Sequence, residues 1–273
     1  MGVIYDATRR CFYSSTTKLR LSGLHNYLSK KFYPAGSNYS TVKQLKFKSK
    51  SKRSKGGRGG GMGKLMSGKV AQYRTPSGMG KFIDRQFNLL VNKAIEAQPD
   101  SVSARANVLR VWTQAPNQTT LIPSGLKIPP KPRLKLHPYI DPSFRKLLQA
   151  GLIPMKCQVV VGSEEKKVAT QLDMMVWDKK REQVGVVEVK SGYAGTWDVK
   201  TGAGALCKPL QVFADTPHNK AHLQALFGAC LAKATFGYKY LPRAYVLHAD
   251  NGGVKLECTP GAMLQQKEAL WAK

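Results

Sequence analysis

The stretch MKCQVVVGSEEKKVATQLDMMVWDKKREQVGVVEVKS, residues 155–191, constrains the fold of this chain more than any other. Three apolar runs of strand length alternate with two polar segments of hairpin length, GSEEKK and DKKREQ. That pattern predicts three consecutive antiparallel strands. Three charged residues interrupt it: Asp173 in the second run, Glu188 and Lys190 in the third. A charge inside an apolar strand is costly unless it is strongly compensated, so all three need a reason to be there.

Strand periodicity places them. Glu188 and Lys190 are two apart and share one face, with Val187 and Val189 on the other. If Lys179–Glu182 forms the loop, Asp178 pairs with Gln183 and the count back sets Asp173 opposite Glu188. Directly opposed residues have Cβ atoms about 4.5–5.5 Å apart. Two carboxylates that close repel unless a proton or a cation lies between them. A divalent ion of the Mg2+ type, with Mn2+ as a substitute, suits hard oxygen ligands and a substrate phosphate. Lys190, on the same face, can orient water or neutralise developing phosphate charge. Phosphodiester hydrolysis is the reaction this chemistry implies.

The flanking pattern extends the element list. SGMGKFIDRQFNLLVNKAIEAQ (77–98) and SARANVLRVWTQA (103–115) predict helices. Seven prolines between Pro116 and Pro142 predict an extended or looped stretch. DPSFRKLLQAGL predicts a short helix with Asp141 as its cap. After the three strands come a helix (NKAHLQALFGACLAKATFG), two strands about DNGG, and a closing helix. The order is that of a mixed α/β sheet with helices packed on it.

Charge divides the chain. Residues 1–75 hold seventeen Lys and Arg and one acid, Asp6, in a chain of net charge +28. Within them, KFKSKSKRSKGGRGGGMGK (46–64) is of low complexity and predicts a disordered, phosphate-binding arm, carried by Lys50, Lys52, Arg53, Lys55 and Arg58. Residues 1–75 are therefore read as a basic arm and 76–273 as the folded domain. The charge points to an anionic partner, DNA in the first place, with RNA open. No apolar run approaches the about 18 residues that span a bilayer. The basic run suits a nuclear or virus-associated protein, and the acid-poor N-terminus suits a mitochondrial transit peptide as the alternative. Five scattered cysteines, without a C-x-x-C, suit free thiols. His218 and His222 are spaced like zinc ligands on a helix, but the glutamate of a zinc protease is missing between them, and no zinc site is expected.

Asp173 followed by Glu188-Val189-Lys190 at the end of a hairpin resembles the PD-(D/E)xK nuclease signature. The surrounding order of strands and helices is similar to that superfamily's core, over roughly residues 78–260. The resemblance implies a restriction-endonuclease-like fold and a Mg2+-dependent deoxyribonuclease. Asp173, Glu188 and the Val189 carbonyl would then hold the ion, and Lys190 would act as base or electrostatic stabiliser. NKAHLQALFGACL resembles the following helix of RecB-like and exonuclease-like members, with Gln224 orienting substrate and Phe227 three residues on, where a Tyr four residues on is the pattern. GKFIDRQF resembles their first helix, making Asp84 a further acidic ligand, with Glu164 and Glu165 competing for that role. Asn219 and Lys220, just inside a helix start, can hold a phosphate or simply cap the helix. Tyr193 and Trp197 can stack on bases or pack onto the domain. The other class left open is a nucleic-acid-binding or packaging protein that uses the fold without cleavage.

Overall fold

The computed structural model describes residues 2–35, 76–114, 126–129, 136–192, 195–200 and 204–272. These build an α/β fold around one mixed eight-stranded sheet. The strands are β1 (Val3–Asp6), β2 (Cys11–Ser14), β3 (Arg20–Gly23), β4 (Leu152–Ser163), β5 (Val168–Asp178), β6 (Gln183–Ser191), β7 (Arg243–Asp250) and β8 (Gly253–Cys258). The helices are α1 (Leu24–Lys31), α2 (Pro76–Asn88), α3 (Pro99–Gln114), α4 (Ile140–Ala150), α5 (Pro217–Phe236), α6 (Gly261–Gln265) and α7 (Lys267–Ala272).

The first described residues correct an expectation. Residues 3–31, read as part of an unstructured basic arm, form three strands and a helix that join the sheet. β1, β2 and β3 are antiparallel, and β3 then runs parallel to β5 through Ser22↔Val168 and Gly23↔Ala169. The strands are only four residues long, too short for period two to stand out against the basic background. The basic run 46–64 and its Lys50, Lys52, Arg53, Lys55 and Arg58 lie outside the described residues, as does most of the proline-rich stretch.

β4, β5 and β6 form the predicted antiparallel ribbon, with Asp178 paired to Gln183 as the turn composition requires. β6 and β7 pair in parallel, which demands a crossover, and α5 supplies it. Thr216 caps α5 by accepting the Asn219 N–H (3.1 Å), Pro217 follows at the first helical position, and Gly237 ends the helix at φ 68°. Asp141 is not a cap: Tyr139 precedes α4, and Asp141, inside the first turn, pairs with Arg145 at 2.6 Å.

Helices cover both faces of the sheet. Leu172, Met175, Trp177, Val184 and Val186 pack with α1, α5, α6 and α7 on one side. Met174, Val176, Val187, Tyr245 and Leu247 pack with α2 and α4 on the other. Phe32, at the end of α1, lies 5.5 Å from the Phe227 ring and seats the N-terminal unit on α5. The α2 stripe (Ile83, Phe87, Leu90, Val91, Ile95) runs through a π-helical turn at Leu89–Lys93 and on to Ala94–Glu96. Two adjacent positions, Leu90 and Val91, are buried at that turn.

Candidate active site

β5 and β6 stay paired from Asp178↔Gln183 to Met174↔Val187, and there the bonded ladder stops. The register carries Asp173 opposite Glu188, but at this level the strands have parted. Instead of a backbone bond, the Val189 N–H donates to Asp173 Oδ2 at 2.8 Å. On the other side of β5 the ladder with β4 shifts register between Pro154 and Lys156 and also skips Gln158, whose φ of 55° is left-handed. A non-glycine residue in that region is strained, and such strain collects at functional sites. Further along the same edge of β5, β3 takes over at Val168 and Ala169. Asp173 thus faces a fork in the sheet between β3 and β6.

Other charges converge on this fork. Lys190 Nζ lies 2.6 Å from Glu188 Oε1, both side chains mostly buried. Asp84 enters from α2, one turn after Gly80, which lies against Ser191 at the end of β6. Burial, with a contribution from Glu188, pushes the Asp84 carboxyl up from 3.8 to about 6, while Lys190 pulls it down. Burial, then Glu188 and Asp84, push Asp173 well above the carboxylate range, against Lys190 and the Val189 N–H. The Cys157 thiol is likewise raised, by burial first and then by Asp173 and Asp84. Three carboxylates share one lysine, which is the electrostatic state a divalent cation relieves.

α5 closes the fork. Gly228 approaches Leu172 and Val186 so closely that an added Cβ would meet Leu172 Cδ2 at 2.8 Å. Gln224, one turn nearer the helix start, is on the side where β6 reaches Glu188. Its Oε1 is buried without a hydrogen-bond partner. An orphaned buried acceptor is costly and calls for a ligand or water.

The remaining expected residues fall elsewhere. Glu164 and Glu165 sit in the β4–β5 turn, Glu164 accepting from Ser14 Oγ and Glu165 exposed beside Lys166, so Asp84 is the acid that joins the fork. Asn219 spends its side chain on the Ala214 carbonyl (2.9 Å). Lys220 is fully buried, 2.7 Å from Asp215 and 5.0 Å from the Tyr33 ring centroid, so neither residue is held out for a phosphate. Trp197 packs onto the domain, stacked on His248 at 4.0 Å. Tyr193 lies outside the described residues.

Two residues at the site have no signal in the sequence. His25, in α1, lies close enough to Lys190 and Lys220 that both add to burial in lowering its pKa, and the Glu188 charge raises it. Asn92, in the π-helical turn, bonds the Cys157 backbone twice (2.8 and 3.0 Å) and so ties the Asp84 helix to β4. Neither has a local spacing that would reveal it.

No helix among the described residues is long and apolar enough to cross a membrane. No protein-family model matches the chain, and no curated protein matches it.

Proposed function

We propose that the chain is a metal-dependent nuclease that hydrolyses DNA phosphodiester bonds, in the manner of the PD-(D/E)xK enzymes its signature resembles. One observation carries the reading. Asp84, Asp173, Glu188 and Lys190, drawn from α2, β5 and β6, meet at a fork in the sheet, where Lys190 stands 2.6 Å from Glu188 and both charges act on the Asp84 and Asp173 carboxyls.

The donor set fits a hard cation, Mg2+ or Mn2+, held by Asp84, Asp173, Glu188 and the Val189 carbonyl. When bound, such an ion polarises the phosphoryl group and acidifies water. The chain's own residues supply the rest. Lys190 neutralises charge that develops on the phosphate. Gln224 Oε1 accepts a hydrogen bond from the attacking water and orients it. The Val189 N–H holds one Asp173 oxygen and leaves the other for the ion. The basic run at 46–64 raises affinity for DNA without reading its sequence.

The test is cleavage of linear and circular DNA, and of RNA, by wild type, Glu188→Ala and Lys190→Ala, with Mg2+, Mn2+ or EDTA. Metal-dependent cutting that falls at least about 100-fold in each variant supports the nuclease. Cutting that persists unchanged in either variant would falsify it. Salt-sensitive binding with no cutting under any metal supports the other reading, a nucleic-acid-binding or packaging protein.

A further inference from the structure

α5 also presents a second face. His218 and His222, one turn apart, project toward β8, where Glu257 meets them. His218 Nε2 lies 2.6 Å from Glu257 Oε2 and 3.0 Å from His222 Nε2, and the third side of the triangle, His222 Nε2 to Glu257 Oε2, is 3.5 Å. Zinc holds such ligands at about 2.0–2.2 Å, which makes the edge of its coordination tetrahedron about 3.3 Å. The three donor atoms therefore already stand close to three corners of that tetrahedron.

The outer contacts follow the same plan. A metal-bound imidazole ordinarily offers its second nitrogen to a carboxylate, carbonyl or hydroxyl, which fixes the ring. His218 Nδ1 lies 2.9 Å from Asp198 Oδ1. His222 Nδ1 lies 3.5 Å from Thr259 Oγ1, at the long limit of a hydrogen bond. Trp197 packs against the His218 ring at 5.4 Å and walls one side. Cys258, next to Glu257, turns its sulfur to Arg243 Nε (3.1 Å) and is not part of the set.

We infer that His218, His222 and Glu257 form a site for one transition-metal ion of the Zn2+ class, with a fourth position open to solvent or a ligand. Two imidazoles, which are borderline donors, joined by one carboxylate suit zinc, unlike the all-oxygen set at the fork. The two sites are neighbours. Glu188 pairs across with Val246, and Val246 with Glu257, so the two glutamates stand two strands, about 10 Å, apart. The ion would pin three segments together: the start of α5, the loop carrying Asp198, and β8. That would hold the Gln224 face of α5 over the fork. The inference does not depend on the nuclease reading.

Its test is a Co2+ titration of the metal-free full-length protein, read by visible absorption. One equivalent giving the intense spectrum of four-coordinate Co2+, bleached by one equivalent of Zn2+, is expected; an oxygen-ligated ion at the fork would give only a weak octahedral spectrum. His222 is almost fully buried, so its substitution also tests folding. His218→Ala and Glu257→Gln, at partly exposed positions, are the variants to read. Each should weaken Co2+ binding at least tenfold with the far-UV circular dichroism unchanged, and Asp198→Asn should weaken it about 10–100-fold. Absence of the four-coordinate spectrum, wild-type affinity in a folded His218→Ala protein, or thiolate charge-transfer bands would each overturn the assignment.

Discussion

Asp178, fully buried, and Asp173, half-buried, are carboxylates on the same strand, and their surroundings differ in kind. Asp178 is saturated: the Lys180 and Arg181 N–H groups, the Arg181 guanidinium (3.2 Å) and the Tyr245 hydroxyl all reach it. It holds the β5–β6 turn, and Asp178→Ala should cost about 1–3 kcal/mol by leaving Tyr245 unpaired, measurable by urea unfolding. Asp173 has one N–H and two acidic neighbours instead. The same contrast fixes a pH dependence for Asp84. Its carboxyl titrates at about 6 in the folded chain against an ordinary 3.8, so the folded state binds the proton more tightly than the unfolded one. The metal-free protein should then lose stability as pH rises from about 4 to about 6. Asp84→Asn should raise its melting temperature above pH 6, leave it unchanged below pH 4, and abolish metal-dependent cutting. A melting temperature lowered at both ends would show Asp84 to be structural. Asp173, Glu188 and Lys190 were legible in the sequence because their charges break an apolar period-two pattern, and the turn composition fixed their register. Glu257 was not legible as a histidine partner. It belongs to a separate strand, and no local spacing links it to His218 and His222.

At the scale of elements, the order from α2 to β8 was readable from periodicity, but the single closing helix expected over 261–273 is two short helices, α6 and α7, broken at Gln266. β1 to β3 were not readable, for they are four residues each and stabilised by tertiary pairing. Gly162 shows how closely they dock: a Cβ there would meet Val3 Cγ2 at 2.6 Å and the Val168 carbonyl at 3.0 Å. Gly162→Ala should therefore cost about 1–3 kcal/mol and loosen β1 first, seen as faster amide exchange at residues 3–6. The π-helical turn has a comparable local cause. Asn92 satisfies the Cys157 N–H and C=O beside the skipped ladder position, so one side chain joins the π-helical turn to the gap in the strand ladder. Asn92→Ala should cost about 1–3 kcal/mol and lower cutting more than binding, because it frees the helix that carries Asp84.

Across the whole molecule, the net charge of +28 and the fold would make separate contributions to the proposed DNA binding. Residues 2–35 belong to the sheet, so removing residues 1–75 would expose the β3-pairing edge of β5 and uncover α5 as well as delete the basic run. Excising 46–64 alone is the informative change. It should leave the melting temperature within about 1 °C, weaken DNA binding, and flatten the plot of log K against log salt by about 0.9 for each phosphate that the run neutralises. An unchanged salt slope would place the neutralising charges outside this run.

The parallel pairing of β3 with β5 also sets a timetable for biosynthesis. Ser22 leaves the ribosome long before Val168, its neighbour in the sheet, has been translated. At about 5–20 residues per second, the wait is on the order of ten seconds. Throughout it, the β1–β3 meander is a nascent chain with an open edge and no partner, and its brevity and its interspersed Arg and Lys residues limit what else can pair with it.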